Sequence, residues 1–465
     1  MLKATRKQLY PSALLYGFLA LVPLIIYIVC LQQNAVNIPI WDEWQLVDFR
    51  LRAIADSVSW QDIFALHNEH RIASMRLIAL ATNQLSTGWQ SSLRMAISCA
   101  ISITAFSLLI LLTWRQFKSS VDDHLTPPNW HIFGFTTVAT SLFFFSPAQQ
   151  ENWLWGFQVP WFLIQFILIA AVFLLYEFLK SQQLVYYVAA ILLCFVASFS
   201  LAQGLFVWLV CLPMFLTKGL KRKFRLAIAG TWLLAATVAF AAYMTGYSKP
   251  AGHPNTRLAL ERPGLAIDFF LNLVGNALGQ DGISNVVLGL VMVLTFLSLV
   301  ILCYRQSATV WNDALVWLSI GLFPMVFATV TTVGRLGLGS GAALASRYST
   351  VTLLLPICLA QLFRIFLHHQ HSLNKLIRPL VISTFLLGFM FAGVVDGYEN
   401  GLSDARNGMH HRKEGRACLE FYAQMEPELA NECIARYIFP VPSFPLEIMK
   451  TLNAEGIIAP PAVVP

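Results

Sequence analysis

The chain has 465 residues, of which 57% are hydrophobic and only 12% charged, with a formal net charge of +7. Soluble domains carry ~25% charged residues, so this composition and a mean hydropathy of +0.64 exclude an ordinary soluble protein. No basic face with interleaved aromatics accompanies the positive charge, so no nucleic-acid partner is expected.

Runs such as Ser12–Leu31 and Leu93–Trp114 hold about 20 apolar residues, enough to cross a ~30 Å hydrocarbon core at ~1.5 Å per residue. Helices are the natural spanning form, because each satisfies its own backbone hydrogen bonds in lipid. The short alternating segments of an outer-membrane barrel are absent. The first run follows Lys3, Arg6 and Lys7. It is too long for a signal-peptide core and no small-residue cleavage site comes before Asn37, so a retained helix is expected.

Eleven segments are predicted to span: 12–31, 93–114, 131–146, 158–177, 184–199, 203–217, 226–243, 284–303, 312–330, 349–367 and 379–395. With a cytoplasmic N-terminus, the inner connections hold Arg115, Lys118, Lys180, Lys218, Lys221, Arg222, Lys223, Arg225, Arg305, Arg364, Lys375 and Arg378. The short outer connections 147–157 and 200–202 hold no Lys or Arg, which is the positive-inside asymmetry. The longer outer pieces are 32–92, 244–283 and 396–465. The expected fold is an all-α polytopic membrane protein of about eleven transmembrane helices. Residues 1–395 form the membrane domain, with 32–92 as a long helical first extracytoplasmic loop, and 396–465 form a small extracytoplasmic tail.

In the first loop, Trp41, Trp44, Trp60 and Trp89 are candidate interfacial anchors. Asp42 and Glu43 lie between the first two of them, directly beyond the first apolar segment. A carboxylate there is partly desolvated, which raises its basicity and suits a general base. Adjacent side chains diverge, so one faces a site while the other holds structure or a cation. Farther along the loop is His67-Asn68-Glu69-His70-Arg71. On a helix, His67, His70 and Arg71 share a face and Glu69 points away. The group offers contacts to an acceptor or a phosphate, and its HxxH spacing is weaker than a zinc HExxH pattern.

The connection Gln149–Gln158 is dense in amides and aromatics. Glu151, Asn152 and Trp155 are candidates for sugar contact, through directional hydrogen bonds and stacking; an aromatic belt is the competing account of the tryptophans. Gln203 in the next outer turn is a weaker candidate. A glycine-rich run from Gly334 to Gly341 begins with Arg335 and leads to Arg347 and Tyr348 at the mouth of an apolar helix. Two guanidiniums there suit phosphate oxygens, against the plainer account of a flexible loop with two snorkelling arginines. In the tail, Cys418 and Cys433 flank Glu426-Pro427 on helical patterns, and a helical hairpin would bring them within disulfide range.

One membrane helix, a long helical outer loop and an acidic pair near that loop's start resemble the GT-C superfamily of multi-spanning glycosyltransferases. The resemblance covers roughly residues 10–395 and rests on topology and placement. Two departures stand: the His-Pro-Pro pattern of protein mannosyltransferase relatives and the WWD motif of oligosaccharyltransferases are absent. The resemblance implies transfer of a sugar from a polyprenyl-phosphate carrier to a cell-envelope glycan or lipid acceptor, with inversion, at the outer face of a bacterial inner membrane. It implies catalysis by Asp42 and Glu43, with Asp42 as base. Arg347, Arg335, His70 and Arg71 would bind the donor phosphate, and His67, Glu69, Glu151, Asn152, Trp155, Gln203 and Tyr348 would bind sugar or acceptor. Membrane lipid is a further partner; no metal site is assigned, although Asp42 and Glu43 leave room for a divalent cation. A transporter or flippase of lipid-linked sugars is the main alternative. It is disfavoured because no repeat is visible and charged residues cluster outside the helix centres. A membrane-bound acyltransferase and a non-catalytic assembly subunit are further alternatives.

Overall fold

The computed structural model describes residues 2–85, 88–122, 130–248, 254–278, 282–368 and 373–454. Within them the chain is almost wholly helical, with one two-stranded hairpin as its sheet. Helix α1 covers Leu2–Asn34. The first connection is built from α2 (Glu43–Ile54), α3 (Trp60–Phe64), strands β1 (Leu66–His67) and β2 (His70–Arg71), and α4 (Ala73–Asn83). Then come α5 (Ser91–Asp122), α6 (Trp130–Phe144), the single-turn α7 (Gln150–Trp153), α8 (Val159–Ser181) and α9 (Leu184–Ser198). The short α10 (Phe206–Val210), α11 (Arg222–Met244), α12 (Leu258–Glu261) and α13 (Pro263–Gly275) follow. The body closes with α14 (Gly282–Tyr304), α15 (Ala308–Arg335), α16 (Ser349–Thr352) and α17 (Leu354–His368). Helix α18 (Leu373–Phe421) runs on into the tail, which continues with α19 (Pro427–Tyr437) and α20 (Ser443–Ala454).

Seven helices among the described residues are long and apolar enough to cross a membrane: Ser12–Asn34, Ser91–Ser119, Gly156–Ser181, Arg222–Met244, Ser284–Tyr304, Ala308–Leu338 and Ser346–His368. This is a membrane-embedded helical protein. The span Ser346–His368 is 83% buried inside the bundle and Gly156–Ser181 67%, against 22% for the first and fourth. The first two are therefore central posts, and the other two turn apolar faces outward.

The remaining expected spans fold differently. Segments 131–146 and 184–199 fall on α6 and α9, each of 15 residues and short of the ~20 a straight span needs. Segment 203–217 breaks into short turns around α10, with Pro213 starting the last of them. Segment 379–395 lies within α18, whose 49 residues run without a break into the tail, about 74 Å at ~1.5 Å per residue. Within the expected outer connection 244–283, α13 is an apolar helix packed against α14 and α15. The side chains of Lys375 and Arg378 lie outside the described residues.

Arg364, expected in an inner connection, is instead buried in the last turns of α17. Its Nε donates to Gln361 Oε1 and its Nη2 to Gln116 Oε1, both at 2.9 Å. The Trp317 indole donates to the same Gln116 oxygen, and Gln361 donates to the hydroxyls of Thr113 and Thr140. A buried guanidinium is tolerated because this network meets its donors, and it ties α5, α6, α15 and α17 together.

The tail is not a detached appendix. Val36, Ile38, Trp44 and Val47 of the first connection share one apolar core with Cys418, Ile434, Ile438 and Leu452 of the tail. Trp44 is fully buried there, edge-on to Trp89, so it is a core residue rather than an interfacial anchor; Trp41 and Trp60 are exposed. Cys418 and Cys433, a pairing that the sequence left open, form a disulfide.

Candidate functional site

The expected outer connections meet at one end of the bundle. Asp42 stands at the start of α2 without capping it, and its carboxylate faces the hairpin, with Oδ2 3.5 Å from His67 Nε2. The Asp42 side chain is 38% exposed and that of His67 only 2%. His67 Nδ1 donates to Gln45 Oε1 at 2.7 Å, which fixes the imidazole plane, and the Phe157 ring lies 5.2 Å away.

The His67–Arg71 run is a hairpin and not the helix its spacing suggested. Asn68 takes φ +52, so the Asn68-Glu69 turn reverses the chain and His67 pairs with His70 across it. Glu69 therefore does not point away: it forms an ion pair with Arg335, at the last turn of α15. His70 Nδ1 accepts the Ala202 N–H at 3.2 Å, and Nε2 lies 3.6 Å from Glu69 Oε1. Burial pushes the His70 imidazole down to about 4, against the opposing pull of Glu69.

That depression has a consequence for stability. Below the ordinary value of 6.5 the unfolded chain takes up a proton that the folded site resists. The contribution is complete above pH ~6.5 and is lost as the pH falls toward ~4. His70→Gln should flatten this limb of a thermal-unfolding series over pH; an unchanged limb would remove His70 as its source.

Arg71, expected at the donor phosphate, directs its guanidinium to three backbone carbonyls. Its Nε donates to the Tyr243 carbonyl at 2.8 Å, Nη1 to the Phe64 carbonyl at 2.5 Å and Nη2 to the Thr245 carbonyl. These bonds close the end of α11, where a helix leaves carbonyls without partners, and fasten it to the hairpin.

Glu43, expected in catalysis beside Asp42, is enclosed by structural partners. It is fully buried, and its Oε1 accepts from Ser91 Oγ at 2.8 Å and Arg94 Nη1 at 2.9 Å, tying α2 to the start of α5. Gly156 lies flat against this carboxylate; a Cβ there would stand 2.7 Å from Oε1. Burial raises the Glu43 carboxyl above its ordinary value, and Arg94 and Ser91 offset part of that rise.

Across the site, Arg347 Nη1 pairs with Glu151 Oε1 at 3.0 Å, while the Arg347 backbone N–H donates to Glu151 Oε2 at 3.1 Å. The Arg347 side chain is 42% exposed. Asn152 is buried and donates to the Arg347 carbonyl at 2.8 Å and to Thr350 Oγ1 at 2.7 Å, so it braces the start of α16 and is not open to a sugar. Tyr348 is buried between Trp161 and Phe327. The Trp155 indole donates to the Ile40 carbonyl at 3.2 Å, two residues before Asp42. Gln203 is buried, and its Nε2 has no partner among the described residues.

These contacts close a ring: α2 to the hairpin through Asp42–His67, the hairpin to α15 through Glu69–Arg335, the α15–α16 segment to α7 through Arg347–Glu151, and the α7–α8 segment back to α2 through Trp155. The accessible groups on it are one carboxylate, Asp42, and one guanidinium, Arg347, with Glu151, Glu69 and Arg335 partly exposed beside them. Among the described residues no group of three or more His, Cys, Asp or Glu side chains is placed to hold a metal ion. A cleft of about 660 Å³ lies apart from this ring, between α2 and α20. The sequence reading missed Gln45, Ser91 and Arg94. Arg94 carried a usable signal, a charge one residue inside an apolar segment, which calls for a buried partner. No family model matches the chain, and no curated protein matches it in sequence.

Proposed function

We propose that the chain is an inverting glycosyltransferase of the GT-C kind, using a polyprenyl-phosphate sugar as donor and a cell-envelope glycan or lipid as acceptor. The observation that carries this reading is the half-exposed Asp42 carboxylate, 3.5 Å from buried His67, on the same ring of contacts as the half-exposed Arg347 guanidinium. Asp42 takes the acceptor hydroxyl proton as the new bond to the sugar C1 forms. The C1–O bond to the lipid phosphate breaks, and its electron pair leaves with the phosphate. Arg347, with Arg335, stabilises the charge growing there. His67 positions Asp42; Glu151, Glu69 and Trp155 are the groups left to contact sugar or acceptor.

In this reading the ring faces the extracytoplasmic side of a bacterial inner membrane, with the N-terminus in the cytoplasm and the tail in the periplasm. About eleven crossings are made once the shorter helices and α18 are counted. The basic connections support that orientation, because they gather at the opposite end of the bundle: Lys180 reaches Ser119, and the Lys218 N–H donates to Asn312. Arg364 offers a transporter reading a buried charge, but its bonds to two glutamines make it a staple between helices.

The test is transfer from radiolabelled polyprenyl-phosphate sugars by the purified protein in nanodiscs, with an envelope glycolipid extract as acceptor and Asp42→Asn alongside. Label reaching a product only with the wild type supports the reading; no transfer from any donor by folded protein overturns it. Arg347→Ala should weaken donor binding about tenfold or more, the scale of a lost hydrogen bond to a charged group. Glu151 keeps its bond to the residue 347 backbone, so the fold should survive. Unchanged donor affinity and single-turnover rate would leave Arg347 as a headgroup anchor.

A further inference from the structure

The connection from α1 to α2, residues 35–41, is gripped at both ends by the tail. Upstream, buried Arg412 of α18 donates from Nη2 to the Asn34 carbonyl at 3.4 Å, where α1 ends. Downstream, the Trp41 N–H donates to the Ile438 carbonyl at 2.9 Å, just beyond α19. Trp41 has φ +50, a left-handed conformation that an aromatic residue rarely holds without an outside tether. Trp41 is 53% exposed, so its bond to the tail is made by the backbone and not by ring burial, beside the bonds that Trp155 and the Glu43 N–H make to the Ile40 carbonyl. The next residue is Asp42.

Ile438 is itself firmly placed. Its N–H donates to the Ile434 carbonyl at 2.9 Å, and α19 is tied to α18 by the Cys418–Cys433 disulfide. Gly415 of α18 lets the end of α19 approach closely, since a Cβ there would stand 2.7 Å from Ile438 Cδ1. A covalently pinned hairpin thus ends at the carbonyl that accepts the N–H of the left-handed residue.

We propose that the tail is a positioning element: the disulfide-pinned α18–α19 hairpin fixes the Trp41 turn and so sets the direction of the Asp42 carboxylate toward His67. This concerns the geometry of the corner and stands whether or not Asp42 is a base for glycosyl transfer. The role was hidden in sequence, because the contact is made by a backbone carbonyl some four hundred residues from the turn.

The experiment is hydrogen exchange by mass spectrometry on the full-length protein in nanodiscs, oxidised against reduced with a phosphine, with the Cys418→Ala/Cys433→Ala protein in parallel. If the double variant does not fold, reduction of folded wild type gives the same measurement. Peptides covering 36–45 should exchange at least about tenfold faster once the disulfide is open, while those covering 66–71 and 159–181 hold their rates. His67, buried in the oxidised protein, should become open to carbethoxylation by diethyl pyrocarbonate. Faster exchange confined to 427–437, with 36–45 and His67 unchanged, would overturn the proposal. A rise spread over the whole bundle would overturn it too, since the tail would then hold the fold and not the turn. So would no change anywhere after thiol titration has shown full reduction.

Discussion

Glu43→Ala is expected to destabilise the protein by about 3–5 kcal/mol, the scale of breaking a buried ion pair by removing one partner. The cost arises less from the lost attraction than from the Arg94 guanidinium, left buried with no carboxylate in front of it. With the carboxylate gone, the single Ser91 hydroxyl proton turns to the Ile38 carbonyl 2.8 Å away, so Ser91 adds little to the loss. Unfolding in a denaturant series in detergent measures the effect. Changing both partners to apolar residues, Glu43→Leu with Arg94→Met, should recover most of it, because no charge then remains to be desolvated. A single-variant loss below about 1 kcal/mol would mean that water reaches Arg94 once the carboxylate is gone. A catalytic Glu43 would behave otherwise, losing rate while keeping stability.

Asp42→Asn should do the opposite. The transfer rate is expected to fall by about 10²–10⁴, the usual contribution of a general base, with the unfolding midpoint nearly unchanged. Stability is spared because Asp42 is partly exposed, makes no capping bond and meets His67 at 3.5 Å, longer than a strong charge-assisted hydrogen bond. An amide of the same shape keeps the corner intact and removes only the basic oxygen. Donor-lipid binding should also persist, since the proposed phosphate contact is Arg347 across the site. Wild-type turnover in Asp42→Asn would remove Asp42 as the base. Lost turnover together with lost donor binding would point to a collapsed site. The two neighbours thus separate cleanly: position 43 should be read in stability and position 42 in rate.

The helical membrane body was written in composition alone, because a 20-residue apolar run has few other stable states in lipid. The gathering of 41–44, 66–71, 149–158, 200–204 and 335–350 at one end followed from alternating the spans, so the candidate site was legible as a set of loops. A Glu-Pro break between two helical patterns made a hairpin of Cys418 and Cys433 legible, but not the Cα separation of 5.8 Å that decides their pairing. Local geometry was less legible. The helical spacing of His67, His70 and Arg71 is also compatible with a two-residue turn, and the left-handed conformation of Asn68 decided between them.

What no local pattern could supply was which of two identical-looking charges is buried and by whom. Glu43 and Asp42 differ in setting because Arg94, Ser91 and Gly156 close over one and leave the other at the rim. Arg71 and Arg347 differ because three carbonyls surround the first and solvent reaches the second. Desolvation and pairing depend on distant atoms. The sequence by itself therefore determined that polar groups collect at one end of a membrane bundle, and the tertiary structure decided which of them are buried braces and which stay partly exposed.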